Sequence, residues 1–214
     1  MPDVQSGNGS MNLKFKEKRI CIFANYRTGS TTIIEKIVEN NNLPGLGEYF
    51  RIMNIGYARL LPFEKVLRNF NSMNEFVLKI MADHVGHDMQ KLSDIVTRCD
   101  RIIYVYRRDF KAQALSWLAA DSTASYNDLK KLDGSVAELI VPNLTPEYVD
   151  KQVDMLKNNY ITMGKLYKKY PGEVICLDDF ETKDPYTRKY VWTNGQPEIP
   201  EFNVEQAIFS NEMD

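Results

Sequence analysis

The chain is short of the residues that mark a metal centre, a disulfide scaffold or a membrane anchor. Its three cysteines, Cys21, Cys99 and Cys176, are too few for a disulfide framework. Two of them lie in apolar runs, which reads as buried thiols in a reducing compartment. Its two histidines, His84 and His87, form an H-x-x-H pair flanked by Asp83 and Asp88. With no third well-spaced ligand, that pair is a poor zinc signal, and no metal is expected. No apolar run is long enough to span a bilayer, and the opening MPDVQSGNGSMN lacks the hydrophobic core of a secretion signal. A cytoplasmic location is therefore expected. A net charge of only −2 creates no global attraction to nucleic acid or membrane, so neither is expected as a partner. Any basic site must be local. No repeat period is present either.

What is present is the composition of an ordinary globular protein, with 43% hydrophobic and 26% charged residues in 214. That length is one domain. Residues 1–14 read as a disordered tail and residues 15–214 as a single α/β domain. Strand-like apolar runs fall at 18–23, 76–82, 101–106 and 173–178. Helical spacing of apolar residues falls at 33–38, 63–70, 89–96, 110–120 and 149–170. Asp109 is expected to cap the fourth of these helices, and Pro171-Gly172 to stop the fifth. NNNLPGLG reads as a loop, while 121–144 and the segment from 184 onward fit no pattern. Strands alternating with helices predict a central, mostly parallel sheet covered on both faces.

Ligands of such sheets bind beyond the carboxyl ends of the strands. Three loops would meet there: residues 26–31, 82–84 and 107–109. The first, within ANYRTGST, stands where a phosphate loop of pattern G-x-x-x-x-G-K-[ST] is found in many α/β proteins. Here Ala24 replaces the first Gly, Ser30 replaces the Lys, and Gly29 and Thr31 remain. Successive N–H groups at a helix start suit phosphate or sulfate. Ser30, Thr31 and Thr32 add hydroxyls, and Arg27 adds charge. The third strand ends in Arg107 and Arg108, where a magnesium-organising acid would otherwise stand. Those arginines precede Ser116 by eight or nine residues, which predicts a second anion pocket, separate from the first loop. Two such pockets fit a nucleoside with phosphates at both ends. The plainer alternatives are a Gly-containing turn and a packing serine.

These residues resemble those of the sulfotransferases that use 3′-phosphoadenosine-5′-phosphosulfate (PAPS). RTGST is similar to their 5′-phosphosulfate loop, and YRRDFKAQALS to their 3′-phosphate motif. In ANYRTGSTT, GLGEYF, LKIM and RRDFKAQALSW the chain looks most like the bacterial trehalose sulfotransferase-like branch. The resemblance runs in order over residues 20–117, roughly half the chain, and implies a P-loop-like three-layer fold. By resemblance, Thr28, Gly29, Ser30, Thr31 and Thr32 would hold the 5′-phosphosulfate. Arg27 would neutralise charge building on the bridging oxygen. Arg107 or Arg108, with Ser116, would hold the 3′-phosphate. Arg188 and Lys189 would offer a late basic contact, against the plainer reading of a solvated charge pair. Glu48 would be the general base, with His84 the rival, since the cytosolic sulfotransferases carry a catalytic histidine near that point. An anionic donor strengthens a nearby carboxylate as a base but holds a histidine protonated, which favours Glu48.

The implied reaction moves a sulfuryl group from PAPS to a hydroxyl of a small-molecule or carbohydrate acceptor without a metal, leaving adenosine 3′,5′-bisphosphate. The competing expectations are a degenerate P-loop nucleotide-binding or kinase-like protein and an inactive nucleotide-binding relic. The sequence leaves the acceptor open, and the oligomeric state too, a homodimer included.

Overall fold

The computed structural model describes residues 13–50, 63–123, 138–179 and 189–210. Four apolar runs become parallel strands: β1 (Arg19–Ala24), β3 (Phe76–Ile80), β4 (Arg101–Tyr106) and β6 (Glu173–Cys176). With the short β2 (Gly45–Gly47) they form one sheet in the order β2-β3-β1-β4-β6, every neighbouring pair parallel. The helices are α1 (Ser30–Asn41), α2 (Phe63–Asn71), α3 (Met89–Val96), α4 (Phe110–Ser122), α5 (Pro146–Lys169) and α6 (Val204–Phe209). The fold is thus α/β with a five-stranded parallel sheet flanked by helices.

Side chains alternate across a strand, so each strand feeds two cores. Ile20, Ile22, Ala24, Val77, Ile103, Val105 and Ile175 pack with Ile33, Ile34 and Ile37 of α1. Cys21, Phe23, Phe76, Leu78, Ile80, Tyr104 and Tyr106 pack on the opposite face with residues of α2 to α6. Continuous apolar runs are what a sheet buried on both faces requires. α5 is 24 residues long, opened by the Thr145 cap and Pro146. Its Gly164 lets α6 lie close, since a Cβ there would stand 2.2 Å from the Ala207 carbonyl oxygen. Among the described residues no helix is long and apolar enough to cross a membrane.

Three features depart from the pattern-based reading. β2 lies inside the expected loop, and Pro44 O accepts from Val77 N at 2.8 Å, so pairing rather than propensity makes it a strand. β5 (Glu138–Val141) and β7 (Lys189–Trp192) form a separate parallel pair. α6 was not foreseen. The expected tail lies outside the described residues up to 12. From there the chain is anchored: Leu13 is buried, and Asn41 donates to Leu13 O at 2.7 Å and accepts from Phe15 N at 2.5 Å. The Arg188 expectation lies outside the described residues, as does the Lys189 side chain.

Candidate anion-binding site

The order β3-β1-β4 sets three loops side by side at the carboxyl edge. After β1 the chain turns sharply. Asn25 is fully buried, and Thr28 Oγ1 donates back to Asn25 O at 2.9 Å. Arg27 (φ 56°) and Gly29 (φ 67°) both take the left-handed conformation. For arginine that costs about 1–2 kcal/mol, a strain typical of functional turns. Gly29 starts α1 without a side-chain cap, and no acid stands in the first turn. Gly29 O accepts from Thr32 N at 3.1 Å. Among the described residues no acceptor meets the N–H groups of Gly29, Ser30 or Thr31. The positive end of a 12-residue helix is therefore open to an anion. Ser30 is buried, Thr32 half-buried and Thr31 exposed.

Ser116 stands at this first loop. Its Oγ accepts from Arg27 Nε at 3.0 Å, across 89 positions of sequence. The separation of the two pockets expected from sequence is therefore narrow at this point. Beside it the Tyr26 ring stacks on Trp117 with centroids 4.0 Å apart, and Tyr26 OH donates to Asp83 Oδ2 at 2.6 Å. Trp117 Nε1 donates to Gln152 Oε1 at 2.8 Å, so this ring is packed between partners.

The two arginines beyond β4 differ. Arg108 N donates to Asp178 Oδ2 at 2.5 Å, and Arg108 Nε to Glu205 Oε1 at 3.0 Å, while its Nη2 bonds Asp179. The Asp179 bond raises the pKa of this guanidinium further above its already high range. Arg107 Nε lies 3.3 Å from Asp178 Oδ1 as an ion pair. That nitrogen is buried and has no hydrogen-bond acceptor among the described residues. A cleft of about 390 Å³ adjoins Arg108, lined also by Phe110, Lys111, Phe202 and Asn203.

At the other end of the sheet, register builds a second cluster. Gly47 pairs with Leu78, so Glu48 comes alongside Lys79. Lys79 Nζ donates to Glu48 Oε1 at 2.9 Å, and Glu48 Oε2 lies 3.9 Å from His84 Nε2. Lys79 is 8% exposed and His84 1%. The two expected candidates for the base are thus neighbours, and Glu48 also holds a lysine that sequence reasoning missed. The available signal was a lone cation in the apolar run FVLKIMA, because a buried charge needs a partner. His87 is turned elsewhere, with Nδ1 3.1 Å from Thr162 Oγ1. Among the described residues no group of three or more His, Cys, Asp or Glu side chains is placed to hold a metal ion.

No model of a known protein family matches the chain, and a search of curated proteins returns no match.

Proposed function

We propose that this protein is a sulfotransferase that moves a sulfuryl group from PAPS to an acceptor hydroxyl. One observation carries the reading: the open N-terminus of α1, with Arg27 and Ser116 at its side and no acid in its first turn. The motif resemblance adds PAPS as the donor and a carbohydrate as the acceptor class. The residues fit an anionic donor. Unpartnered N–H groups at a helix start favour phosphate or sulfate oxygens, and Gly29 supplies the backbone turn that exposes them. Arg107, with its unsatisfied Nε, is the better holder of the 3′-phosphate, since the Arg108 guanidinium already bonds Asp179 and Glu205.

The donor, when bound, supplies an activated sulfuryl group. Glu48 accepts the proton of the acceptor hydroxyl as the new O–S bond forms. Lys79 holds Glu48 through Oε1, and the buried His84 stands 3.9 Å from Oε2, where it helps to set the carboxylate. As the S–O bond to the donor phosphate breaks, negative charge grows on the departing oxygen. Arg27 and the N–H groups of residues 29–31 stabilise it. No step calls for a metal.

A second reading, a nucleotide-binding protein without transfer chemistry, is favoured by the carboxylates that already engage Arg108. Calorimetry with adenosine 3′,5′-bisphosphate and with ATP, each with and without chelator, separates them. Mass spectrometry after incubation with PAPS and a metabolite extract then reads transfer. Chelator-insensitive bisphosphate binding and a sulfated product support the proposal. Magnesium-dependent ATP binding without bisphosphate binding overturns it, and bisphosphate binding without any product favours the second reading.

A further inference from the structure

An array of free N–H groups has no internal partner to hold its shape, and Arg27, a non-glycine residue in the left-handed region, strains the loop that carries it. Something outside the loop must fix it. Directly beneath lies a chain of buried side chains: Asn25, Gln113, Asn159 and Tyr160, each 0% exposed. Asn25 Nδ2 donates to Leu156 O at 2.8 Å. Asn25 Oδ1 accepts from Tyr26 N at 2.8 Å and from Asn159 Nδ2 at 3.1 Å. Asn159 Oδ1 in turn accepts from Asp83 N at 3.2 Å. On the other side Gln113 Nε2 donates to Tyr26 O at 2.6 Å. Gln113 Oε1 accepts from Tyr160 OH at 2.6 Å, and that phenol oxygen accepts from Arg107 N at 3.3 Å.

Leu156, Asn159 and Tyr160 have spacing i, i+3, i+4, so one turn of α5 presents a carbonyl, an amide and a phenol on one face. Each loop meets one of them directly or through one side chain: the β1 loop through Asn25, the β3 loop through Asp83, the β4 loop through Arg107. A fully satisfied buried network of this kind specifies one arrangement.

We infer that Asn159 and Gln113 are positioning residues of the anion site, and that this turn of α5 is the keel on which the three loops are set. Asn159 ties the phosphate-type loop to the segment that leads into His84. Gln113 ties the same loop, through Tyr160, to Arg107. The donor end and the proton-accepting end of the site therefore hold a fixed relation before any ligand arrives, and binding need not pay to order them. The inference rests on the proposed function only for the identity of the ligand.

The test uses the full chain with Asn159→Ala and Gln113→Met, and with Val153→Ala as the control. Val153 is a buried apolar residue of α5 outside the network. Hydrogen exchange of the amides of residues 26–31 is read without ligand, and affinity for adenosine 3′,5′-bisphosphate by calorimetry. Asn159→Ala and Gln113→Met should speed exchange in that loop and weaken binding about tenfold or more. Val153→Ala should lower the melting temperature yet leave both readouts at the wild-type level. Unchanged loop exchange in a folded Gln113→Met or Asn159→Ala protein overturns the inference. So does a Val153→Ala protein that loosens the loop equally. If the wild-type protein fails to bind the bisphosphate, the proposed function falls, and the exchange measurement still decides the keel.

Discussion

Replacing Glu48 by Gln tests more than a base, because Lys79 depends on the same carboxylate. The ion pair is lopsided: the Lys79 side chain is 10% exposed and that of Glu48 23%. If Lys79 is cut to Met, Glu48 can turn partly into water, and an apolar chain fills the strand position. The net cost should be about 1 kcal/mol or less. If Glu48 becomes Gln, the ammonium stays buried without its counter-charge, although the amide oxygen can still accept at 2.9 Å. Breaking a buried pair costs about 3–5 kcal/mol. The retained acceptor and the partial exposure of this pair place the expected cost lower, at about 2 kcal/mol. Lys79→Met/Glu48→Gln removes both charges, so urea unfolding of the four proteins should give a coupling of about 1–2 kcal/mol.

The activity pattern is different. Glu48→Gln should lose about 100-fold or more in turnover, and adding Lys79→Met should restore stability without restoring turnover. Donor affinity should change little in both. Full turnover in folded Glu48→Gln would refute the assignment of the base. A double variant that regains turnover would show that Glu48 serves only as the partner of Lys79. A dead His84→Asn that still binds donor, beside an active Glu48→Gln, would move the base to His84.

Three other perturbations follow from single contacts. Ser116→Ala removes the oxygen that accepts from Arg27 Nε at the first loop, so calorimetry should show a loss of about 1.5–3 kcal/mol for adenosine 3′,5′-bisphosphate and a similar loss for a nucleotide lacking the 3′-phosphate; a loss confined to the bisphosphate would place Ser116 in the 3′-phosphate pocket instead. Gly29→Ala forces a side chain at φ 67° and sets its Cβ 2.7 Å from Leu177 Cδ2, at a cost of about 1–2 kcal/mol in urea unfolding; Leu177→Ala should relieve only the steric part. Burial lowers the His87 pKa, against a smaller raising effect of Asp83, so the native state binds fewer protons than the unfolded chain below pH ~6.5. Stability should therefore be fully present above that pH and decline as pH falls toward the folded value, and the melting temperature of His87→Gln should decline less steeply there.

The parts of the fold legible in the sequence are those whose signal is local. Continuous apolar runs mark β1, β3, β4 and β6, because both faces of those strands are buried. Asp109 is readable as a cap and accepts from Ala112 N at 2.9 Å. The end of α5 at Lys169 follows from Pro171 and Gly172. β2 carries only Gly-Leu-Gly, which has no strand propensity, and β5 and β7 hold strand formers in runs of only four residues, too short to set them apart from their surroundings. Lys79 is a partner of Glu48 through strand register, and nothing local in the sequence marks Asn159 or Gln113. Their roles arise from residues 134 and 76 positions away for Asn159 and 87 for Gln113, to which no local pattern points.

The proposed choice of Arg107 over Arg108 for the 3′-phosphate turns on contacts that spacing does not show. In sequence the two are adjacent, and spacing to Ser116 fits either. In space they face opposite balances. The Arg108 guanidinium meets two carboxylates, so a phosphate arriving there must displace Asp179 and Glu205 and face their repulsion once displaced. Arg107 meets one carboxylate, Asp178, without hydrogen-bond geometry, and its backbone N–H is fixed by Tyr160. A phosphate that engages Arg107 satisfies a buried nitrogen that otherwise has no acceptor among the described residues, which is worth more than replacing bonds already made. Arg107→Lys should therefore cost more bisphosphate affinity than Arg108→Lys in calorimetry, since lysine cannot reproduce the planar fork that Arg107, held by a single carboxylate, can turn to a phosphate. The reverse order would assign the pocket to Arg108 and make its carboxylates a gate that the ligand must open.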